Sequence, residues 1–441
     1  MLSRRSTLAG LAAFGLARPA RAQVAGKTVA VIGAGMAGLA AAGALAQAGA
    51  NVTIYEARGR IGGRVHTSMV WPDLPCDLGA SWIHGPKGNP LTKLAKAAGA
   101  QMVQTSYESA LAYEGGAEAE GDTDPWDWVE AAQASSASSP VDMSLRQAIT
   151  ALPEFRALSA TAQFDLIGAI HRAVEHEYGG DWGRISARWF DAGKEFGGQD
   201  VLFPMGYGQI ATFAAQGLKI ETGAEVERVF AVKSGVEIGF SGGQSIRADY
   251  AILTLPLGVL QKGKVQFDPP LAPARRAAIT GFGMGLLNKV FLRFETLPPT
   301  PAVDWLEKLD APSLSFPEWV NLAHVLGAPA LLGFNAAASA DELERLSDAG
   351  TIAAATDALR AMFGSGFPAP IAAQITRWRA DPLALGSYSF HAVGAPETAR
   401  ADLAGTDWDG RIAFAGEACS TNHPSTVHGA WLSGLEAAAA L

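Results

Sequence analysis

The chain has 441 residues, of which 49% are hydrophobic and 17% are charged, a composition typical of a compact soluble enzyme and not of a disordered chain. This length predicts two domains or one elaborate domain. The 50 glycines follow no Gly-X-Y repeat, which excludes collagen, and the net charge of −9 argues against a nucleic-acid partner because phosphate binding needs a basic surface. Cys76 and Cys419 are too few for a disulfide framework, and the sequence leaves open whether they pair.

The first 22 residues are typical of an export signal. A twin arginine, Arg4-Arg5, is followed by the apolar run Leu8–Leu16 and by the small-x-small cleavage site Ala20-Arg21-Ala22. This apolar run is about half of a bilayer span, so we expect no stable membrane anchor after cleavage. The twin-arginine machinery exports folded proteins, which suits an enzyme that takes up its cofactor in the cytoplasm. The predicted location is the bacterial periplasm.

The next segment follows the order strand, glycine turn, helix, strand, acid. The β-branched run Val29–Ile32 stops at a turn that carries Gly33, Gly35 and Gly38, and a second strand ends at Glu56. In a dinucleotide-binding fold, the first glycine makes the turn, the second lets the backbone approach a pyrophosphate, and the third lets helix and strand pack closely. The helix N-terminus favours phosphate, and the acid can accept hydrogen bonds from ribose hydroxyls. These residues therefore predict a dinucleotide site.

A second glycine pair, flanked by arginines, lies in the segment Glu56-Ala57-Arg58-Gly59-Arg60-Ile61-Gly62-Gly63-Arg64. It resembles the E-A-x-x-R-x-G-G-R segment of the flavin amine oxidase superfamily, which includes monoamine and polyamine oxidases, L-amino-acid oxidases and lysine-specific histone demethylases. The resemblance implies FAD as the cofactor, with Gly63 close to the flavin and with Arg58 and Arg64 helping to neutralise the pyrophosphate. It also implies an α/β fold: a glutathione-reductase-like, doubly wound FAD-binding domain with an inserted α+β substrate domain.

The segment Asp77–Gly85 resembles the polyamine-oxidase form of the family's next flavin-contacting segment. The resemblance implies flavin contacts at four consecutive residues, Gly79, Ala80, Ser81 and Trp82. It also places His84 towards the substrate. Amino-acid oxidases tend to carry an arginine-bearing segment here, and this chain has no arginine between Gly79 and Gly85.

The middle of the chain changes character twice. Asp122–Ser139 is loop-like in composition, Ser144–Glu177 has helical spacing, and Leu322–Ala338 is interpreted as a connection. Short strands in 218–257 resemble the family's small sheet over the adenine, where the backbone of Val226 would contact that ring, although an ordinary strand residue is an equally good interpretation. We assign 26–90, 200–285 and 405–441 to the FAD-binding domain, and 91–199 and 286–404 to the substrate-binding domain.

Lys289 is the residue on which the predicted mechanism depends. Period-two alternation puts it on the same face as Leu287 and Phe291, and a lysine in such a pattern most often lies on an edge strand or extends its charge to solvent. However, Gly283–Val290 matches the family's G-x-x-x-x-N-K-V pattern, in which the lysine holds a water against flavin N5. The resemblance implies this role for Lys289, and burial there would lower its pKa.

The segment Arg377–Tyr388 resembles the family's W-x-x-D-P-x-x-x-G-S-Y run. It implies a flavin contact for Trp378, for which core packing is an equally good interpretation, and an aromatic wall in front of the flavin at Tyr388. Relatives often carry an aromatic residue at the position of Leu383, so one flavin contact would be absent. Monoamine oxidases carry a flavin-linked cysteine at the position of Ser387, so we expect the FAD to be non-covalent.

The last motif combines a buried strand that ends in Gly416-Glu417 with a helix that opens near Ser425. In the family, the position of Glu417 binds ribityl or phosphate-side groups. The backbone at Thr426 and Val427 meets the carbonyl edge of the flavin at a helix N-terminus, where negative charge is favoured. We therefore assign all three residues to cofactor binding.

The resemblance implies that hydride passes from the carbon next to an uncharged amine nitrogen to flavin N5, that water hydrolyses the imine, and that O2 is reduced to H2O2. The predicted catalytic residues are Lys289, His84, Tyr388 and Glu175, and we expect no metal. Glu175 lies where relatives place an acid towards a remote ammonium, although a solvated helix end explains it equally well. These residues favour a diamine or polyamine substrate.

Three alternatives stay open. The first is an oxidase of L-amino acids or of cyclic or aromatic amines. The second is a periplasmic amine dehydrogenase that passes electrons to a carrier protein, and the third is a non-catalytic FAD-binding export or assembly factor. The sequence does not determine the oligomeric state.

Overall fold

The structure is a computed structural model that describes residues 24–119, 124–309 and 316–441. The predicted export signal lies outside the described residues. The strands, in chain order, are β1 Thr28–Ile32, β2 Asn51–Glu56, β3 Thr67–Ser68, β4 Cys76–Asp77, β5 Trp82–Ile83, β6 Val103–Gln104, β7 Ala110–Glu114, β8 Ala117–Ala119, β9 Val201–Leu202, β10 Ile220–Thr222, β11 Val226–Val232, β12 Gly235–Phe240, β13 Ser245–Ala248, β14 Tyr250–Leu253, β15 Gln266–Asp268, β16 Gly283–Met284, β17 Leu287–Arg293, β18 Trp305–Lys308, β19 Glu318–Val320, β20 Ala330–Ala336, β21 Ala372–Ile375, β22 Ser389–Phe390, β23 Gly405–Asp407 and β24 Ile412–Phe414. The α-helices are α1 Met36–Gln47, α2 Pro90–Ala97, α3 Trp126–Ala137, α4 Leu145–Ala151, α5 Pro153–Ala157, α6 Ala160–Ile170, α7 His176–Tyr178, α8 Gly208–Ala214, α9 Leu257–Gln261, α10 Pro273–Gly281, α11 Leu322–Val325, α12 Ala337–Leu343, α13 Asp348–Phe363, α14 Ala399–Leu403 and α15 Val427–Ala439.

A six-stranded sheet with the order β10-β2-β1-β14-β24-β23 forms the centre of the first part of the molecule. Its strands are parallel except β23, which runs antiparallel to β24. In β1, Val29 and Val31 pack with α1 and α15, while Ala30 and Ile32 pack on the opposite face. A parallel strand buried on both faces needs apolar residues on both, which explains the unbroken hydrophobic run.

The second face of this sheet is covered by a smaller four-stranded sheet with the order β13-β12-β11-β15. Strands of the two sheets come from all three segments that the sequence assigned to the FAD-binding domain. The carboxyl ends of β1, β2 and β14 lie side by side, because these strands are parallel neighbours. In open α/β sheets, this edge is where ligands bind.

A mixed seven-stranded sheet with the order β21-β17-β20-β19-β18-β7-β8 forms the second part. Strand β17, which carries Lys289, lies between β20 and β21 and is not an edge strand. Strand β20, Ala330–Ala336, corrects the interpretation of Leu322–Ala338 as a connection. All seven residues of β20 are buried, so this apolar run is a central strand with a packed layer on each face.

Helices α3 to α7 form a separate apolar cluster beside the seven-stranded sheet. The loop predicted over Asp122–Ser139 is wrong for Trp126–Ala137, which forms α3. Val129, Ala132 and Ser136 are its buried residues, spaced three and four positions apart on one helical face. Small and polar residues on this face concealed the periodicity. Ser144–Glu177 is largely helical, as its spacing predicted.

Cys76 and Cys419 are free, buried thiols that belong to different core clusters. This separation answers the open question of a disulfide, because the two residues pack in different parts of the molecule. Among the helices in the described part of the chain, none combines the length and apolar character needed to cross a membrane.

Candidate active site

A cavity of about 960 Å³ opens at the carboxyl ends of β1, β2 and β14 and extends between the seven-stranded sheet and the helices α3 and α7. The predicted site residues that line it are Gly33, Gly35, Glu56, Arg58, Gly63, Arg64, Gly79, Ala80, Ser81, Trp82, His84, Val226, Lys289, Trp378, Tyr388, Glu417, Thr426 and Val427. Leu383 and Ser387 also line it. Segments that are far apart in the sequence therefore share one space.

The glycine turn at the end of β1 has the geometry that a dinucleotide needs. A Cβ at Gly38 would lie 1.9 Å from the carbonyl oxygen of Gly33, so only glycine lets α1 approach β1 this closely. A Cβ at Gly35 would meet no atom within 4 Å, although the residue lines the cavity. Gly38 thus serves packing, as predicted for a third glycine, and Gly35 borders the space for a ligand.

Helix α1 begins at this turn with an uncapped N-terminus. Gly35 is its N-cap residue, and among the described residues no side chain caps the helix. Met36 and Ala37 line the cavity, so the first backbone N–H groups and the positive end of the helix dipole face a potential anion. This arrangement fits the pyrophosphate of a dinucleotide.

Glu56 holds the turn in place. It is 6% exposed, and its Oε2 accepts a hydrogen bond from the N–H of Ala34 while Oε1 accepts one from the N–H of Arg58, both at 2.8 Å. A carboxylate has further lone pairs, so Glu56 can also accept from ribose hydroxyls at the cavity wall.

The two predicted phosphate-neutralising arginines are paired with carboxylates. Arg58 donates to Asp381 at 2.8 Å, and Arg64 donates to Glu417 at 2.8 Å and to the carbonyl of Ser387 at 2.9 Å. These contacts fix both guanidinium groups in the cavity wall. Their role towards a pyrophosphate stays a prediction.

Glu417 is the buried end of a charged network. Ser389 Oγ donates to its Oε2 at 2.6 Å, and Arg400 in turn donates to Ser389 Oγ at 3.0 Å. Burial would raise the pKa of Glu417, but the charge of Arg64 and the hydrogen bond of Ser389 outweigh this effect and lower it. Glu417 is therefore an ionised acceptor within the cofactor end of the cavity. Sequence motifs did not indicate Ser389 or Arg400.

Helix α15 places a second N-terminus on the cavity wall. Thr426 is the N-cap residue, and its side chain accepts a hydrogen bond from the N–H of Gly429 at 2.9 Å. Val427, the first helical residue, lines the cavity. The position fits the predicted contact with the carbonyl edge of a flavin, where the helix dipole would favour negative charge.

Lys289 is 4% exposed and is surrounded by oxygen atoms of one turn. Its Nζ donates to the carbonyls of Asp77 at 3.0 Å and Gly79 at 2.5 Å, and contacts Ser81 Oγ at 2.6 Å. Nζ also lies 5.5 Å from the ring centre of Trp82. Burial lowers the pKa of Lys289 to about 8, although the charge of Asp77 opposes the shift. Lys289 can therefore gain or lose a proton near physiological pH.

Aromatic side chains enclose this part of the cavity. Trp82 stacks on Trp305 with ring centres 5.9 Å apart, and Tyr107 also stacks on Trp305 with ring centres 4.5 Å apart. The hydroxyl of Tyr388 donates to the carbonyl of His176 at 2.8 Å, and burial raises its pKa well above the ordinary value. Trp378 donates through Nε1 to the carbonyl of Leu78 at 3.0 Å. These rings form an apolar wall that limits access of water.

His84 forms a pair with an acid that no motif indicated. Its Nδ1 lies 2.6 Å from Asp200 Oδ2, and the N–H of Gly85 donates to Asp200 Oδ1 at 3.0 Å. Partial desolvation at the cavity wall would lower the pKa of His84, but the charge and hydrogen bond of Asp200 outweigh it and raise the pKa overall. The imidazole is thus a hydrogen-bond donor on the cavity wall.

The predicted substrate-facing role of Glu175 needs correction, because the cavity lining does not include this residue. Glu175 is 3% exposed, accepts from the N–H of Trp182 at 2.9 Å, and pairs with His171 at 2.7 Å. It belongs to a π-helical turn, His171–Glu175, which changes the helical register and turns Glu175 into the helix cluster. Glu177, two residues later, lines the cavity instead.

Glu318 is the second acid at the substrate end. It extends from β19, lines the cavity, and pairs with His176 at 2.7 Å. Both Glu177 and Glu318 lie close enough to Tyr388 for their charges to raise its pKa further. Two acidic side chains thus lie near the hydroxyl end of Tyr388.

The doubly wound sheet, its glycine turn and acid, and the second helix N-terminus define a dinucleotide-binding enzyme of the flavoprotein class. Residues 36–441 match the family model described as flavin containing amine oxidoreductase, and the chain belongs to this family. The family assignment made from the motifs is confirmed. The protein is therefore an oxidoreductase that uses FAD and acts on amines.

Similar proteins agree with this assignment. Polyamine oxidase 2 of Arabidopsis thaliana is 32% identical over 437 residues, which cover 93% of this chain and 87% of that protein. Lysine-specific histone demethylase 1 homolog 3 of Oryza sativa subsp. indica is 33% identical over 93% of this chain and 53% of its own length. A solved structure of a putrescine oxidase double mutant, redesigned in cofactor binding, superposes with a TM-score of 0.76 at 20% identity and covers 94% of this chain and 98% of that chain. This last similarity confirms the predicted fold class.

The cavity fits FAD, because two helix N-termini and an unfilled space at Gly35 lie along it. The residues that would hold the cofactor are Gly35, Glu56, Gly63, Arg64, Val226, Glu417, Thr426 and Val427. When bound, FAD supplies the two-electron acceptor for amine oxidation. Tyr388 and Lys289 line the same cavity, and their predicted roles, an aromatic wall towards the amine and a proton-holding amine beside the flavin, stay predictions.

Proposed function

We propose that the protein is an oxidase of diamines or polyamines that returns electrons to O2 and releases H2O2. The observation that supports this substrate class is the position of three acids, Glu177, Glu318 and Asp200, on the cavity wall near Tyr388 and His84. A substrate with a second ammonium can place that charge among the acids. Its reacting nitrogen is then free to be neutral next to the apolar wall.

The expected energy of such a contact is appreciable. Two opposite unit charges about 4 Å apart attract each other by roughly 4 kcal/mol at an effective dielectric constant near 20. Desolvation of both charges opposes part of this energy. We therefore expect kcat/KM to be about 10- to 100-fold higher for diamines than for monoamines of equal length, since about 1.4 kcal/mol corresponds to a factor of ten.

The first experiment identifies the amine and the electron acceptor separately. The purified holoenzyme is mixed without oxygen with putrescine, spermidine, matched monoamines and L-amino acids, and bleaching of the flavin absorbance is followed. Air is then admitted and peroxide is measured. Fast bleaching by diamines followed by stoichiometric peroxide supports the proposal. Bleaching without peroxide favours a dehydrogenase, and preference for an L-amino acid or a monoamine contradicts the substrate class.

The second experiment removes one charge from the wall. Glu318→Gln keeps the size and hydrogen-bonding capacity towards His176, and we expect it to raise KM for diamines about tenfold with little change for monoamines. Glu154→Gln, at an exposed position of α5 outside the cavity lining, is the control. Equal effects of Glu318→Gln on both substrate types would contradict a role in binding the distal ammonium.

We further propose that the protein is exported to the periplasm by the twin-arginine route. The support is the sequence of the first 22 residues, which begins with the paired arginines. Replacing Arg4-Arg5 by Lys-Lys should retain the protein in the cytoplasm, as measured by cell fractionation with FAD fluorescence. Unchanged distribution of the Lys-Lys variant would refute this route.

A further inference from the structure

The hydrogen bonds of Lys289 depend on its charge. A lysine ammonium has three N–H donors and no acceptor, whereas the neutral amine has two N–H donors and one lone pair. The carbonyls of Asp77 and Gly79 can only accept. The hydroxyl of Ser81, 2.6 Å from Nζ, is the one of these three partners that can both accept and donate.

Each protonation state of Lys289 therefore has a complete set of partners. In the charged state, Nζ donates to both carbonyls and to Ser81 Oγ. In the neutral state, the two remaining N–H groups stay on the carbonyls, and the Ser81 hydroxyl turns to donate to the lone pair. A second acceptor for that hydroxyl is present, because Ser81 Oγ lies 3.4 Å from the carbonyl of Asp77. The hydroxyl hydrogen thus has a partner in both states.

Because Lys289 and Ser81 are buried, water does not replace a hydrogen bond that either of them loses. Ser81 is 6% exposed and Lys289 is 4% exposed, and a buried polar atom that loses its partner is costly. The titratable groups that influence Lys289 are Asp77 and Cys76, both in β4. From β5 and β20, the neighbouring side chains are the rings of Trp82 and Phe334. The carbonyls and the ring of Phe334 have no hydrogen to donate to a neutral amine, and the indole N–H of Trp82 is donated to Thr105 Oγ1 at 3.1 Å.

We infer that Ser81 is a positioning residue that keeps the Lys289 amine hydrogen bonded in both protonation states and so adjusts its basicity. The exchange moves one proton between Nζ and water or an amine in the cavity. Only the hydroxyl of Ser81 rotates, and no covalent bond of Ser81 changes. This role adds to the flavin contact that the motif implied for Ser81, and it does not depend on which amine is the substrate.

The expected sign follows from the strength of the two hydrogen bonds. A bond to the charged amine is about twice as strong as one to the neutral amine. Removing the hydroxyl therefore destabilises the charged form more and lowers the pKa of Lys289. The two hydrogen bonds differ in free energy by an amount that corresponds to a factor of about ten in the protonation equilibrium. We therefore expect the pKa of Lys289 to fall by about one unit.

The test compares Ser81→Ala with Ser81→Thr, which keeps the hydroxyl. Holoenzyme labelled with ¹³Cε-lysine is titrated by NMR, and the Lys289 signal is identified by its absence in Lys289→Met. The pH profile of anaerobic flavin reduction is measured in parallel. We expect the alanine variant to lower both the NMR pKa and the acid limb of the profile by about one unit, and the threonine variant to restore both.

Ser106→Ala is the matched control, because Ser106 lines the same cavity and its hydroxyl oxygen accepts a hydrogen bond from the N–H of Glu108 and not from Lys289. It should leave the pKa of Lys289 unchanged. An unchanged pKa in Ser81→Ala, or equal shifts in Ser81→Ala and Ser81→Thr, would overturn the inference. If Ser81→Ala does not accumulate, Ser81→Val, which also lacks a hydrogen-bonding group and has the shape of threonine, is measured instead, and the absence of a downward shift there has the same meaning.

Discussion

Replacement of Gly38 by alanine tests whether close packing at the glycine turn controls FAD binding. The added Cβ would lie 1.9 Å from the carbonyl oxygen of Gly33 and 3.1 Å from its carbonyl carbon. To restore ordinary contact, α1 and the turn must separate by about 1.5 Å, and such overpacking costs typically about 1–3 kcal/mol. Because the moving backbone borders the cofactor space, we expect FAD affinity to fall by about 10- to 100-fold.

Gly43 supplies a matched control on the same helix. A Cβ at Gly43 would meet no atom within 4 Å, and replacement of a helical glycine by alanine stabilises by roughly 1 kcal/mol. We therefore expect Gly38→Ala to lower the thermal unfolding midpoint and Gly43→Ala to raise it slightly. The assay is fluorescence titration of the apoprotein with FAD, combined with thermal unfolding of both holoproteins.

The two variants separate packing from helix propensity. If Gly38→Ala binds FAD as tightly as the wild type and unfolds at the same temperature, the proposed contact between α1 and β1 does not limit binding. If Gly38→Ala and Gly43→Ala weaken FAD binding equally, general disturbance of α1 explains the result and the role of the turn is refuted.

Four further predictions concern Lys289, the attachment of the cofactor and the two cysteines. Lys289→Met should slow flavin reduction or reoxidation by about 10²- to 10⁴-fold while FAD stays bound, measured by stopped-flow absorbance; unchanged turnover would remove Lys289 from the mechanism. Burial lowers the pKa of Lys289 to about 8 from roughly 10.4 in an unfolded chain, so the unfolded state binds more protons between these values. The free energy of unfolding of the wild type, compared with that of Lys289→Met, should therefore rise as the pH increases from about 8 to about 10.4 and fall again when the pH returns to 8. Since Ser387 stands at the linkage position, acid precipitation should leave all FAD in the supernatant, and yellow colour in the pellet would contradict this. Burial raises the pKa of Cys76 and of Cys419 to about 12, so a thiol reagent should label neither in the native protein and both after unfolding, as followed by absorbance.

Local motifs determined much of the cofactor end. Gly33, Gly35 and Gly38 adjoin one strand and one helix, so their roles follow from neighbours within a few residues. Glu56 ends the adjacent parallel strand, and its distance from the turn is therefore a consequence of strand register. Such features are readable from sequence because few tertiary contacts intervene.

The place of Lys289 was predictable only in part. Alternation in β17 correctly placed Leu287, Lys289 and Phe291 on one face, because the period of a strand is two residues. The general expectation of an edge or solvent-seeking lysine was wrong. Family resemblance indicated the buried position, whereas the three oxygen partners come from a turn more than 200 residues earlier.

The substrate end required the tertiary structure. Asp200 carries no motif, yet chain folding brings it to His84 from a loop 116 positions away. Glu175 was the predicted substrate-facing acid, but it lies in a π-helical turn outside the cavity lining, and Glu177 lines the cavity instead. Glu318 lies on β19, which is more than 100 residues further along the chain, and lines the same cavity. Sequence determined the cofactor-binding turns because those contacts are local, whereas the acids facing an amine depend on helix register and on long-range packing, which only the folded chain decides.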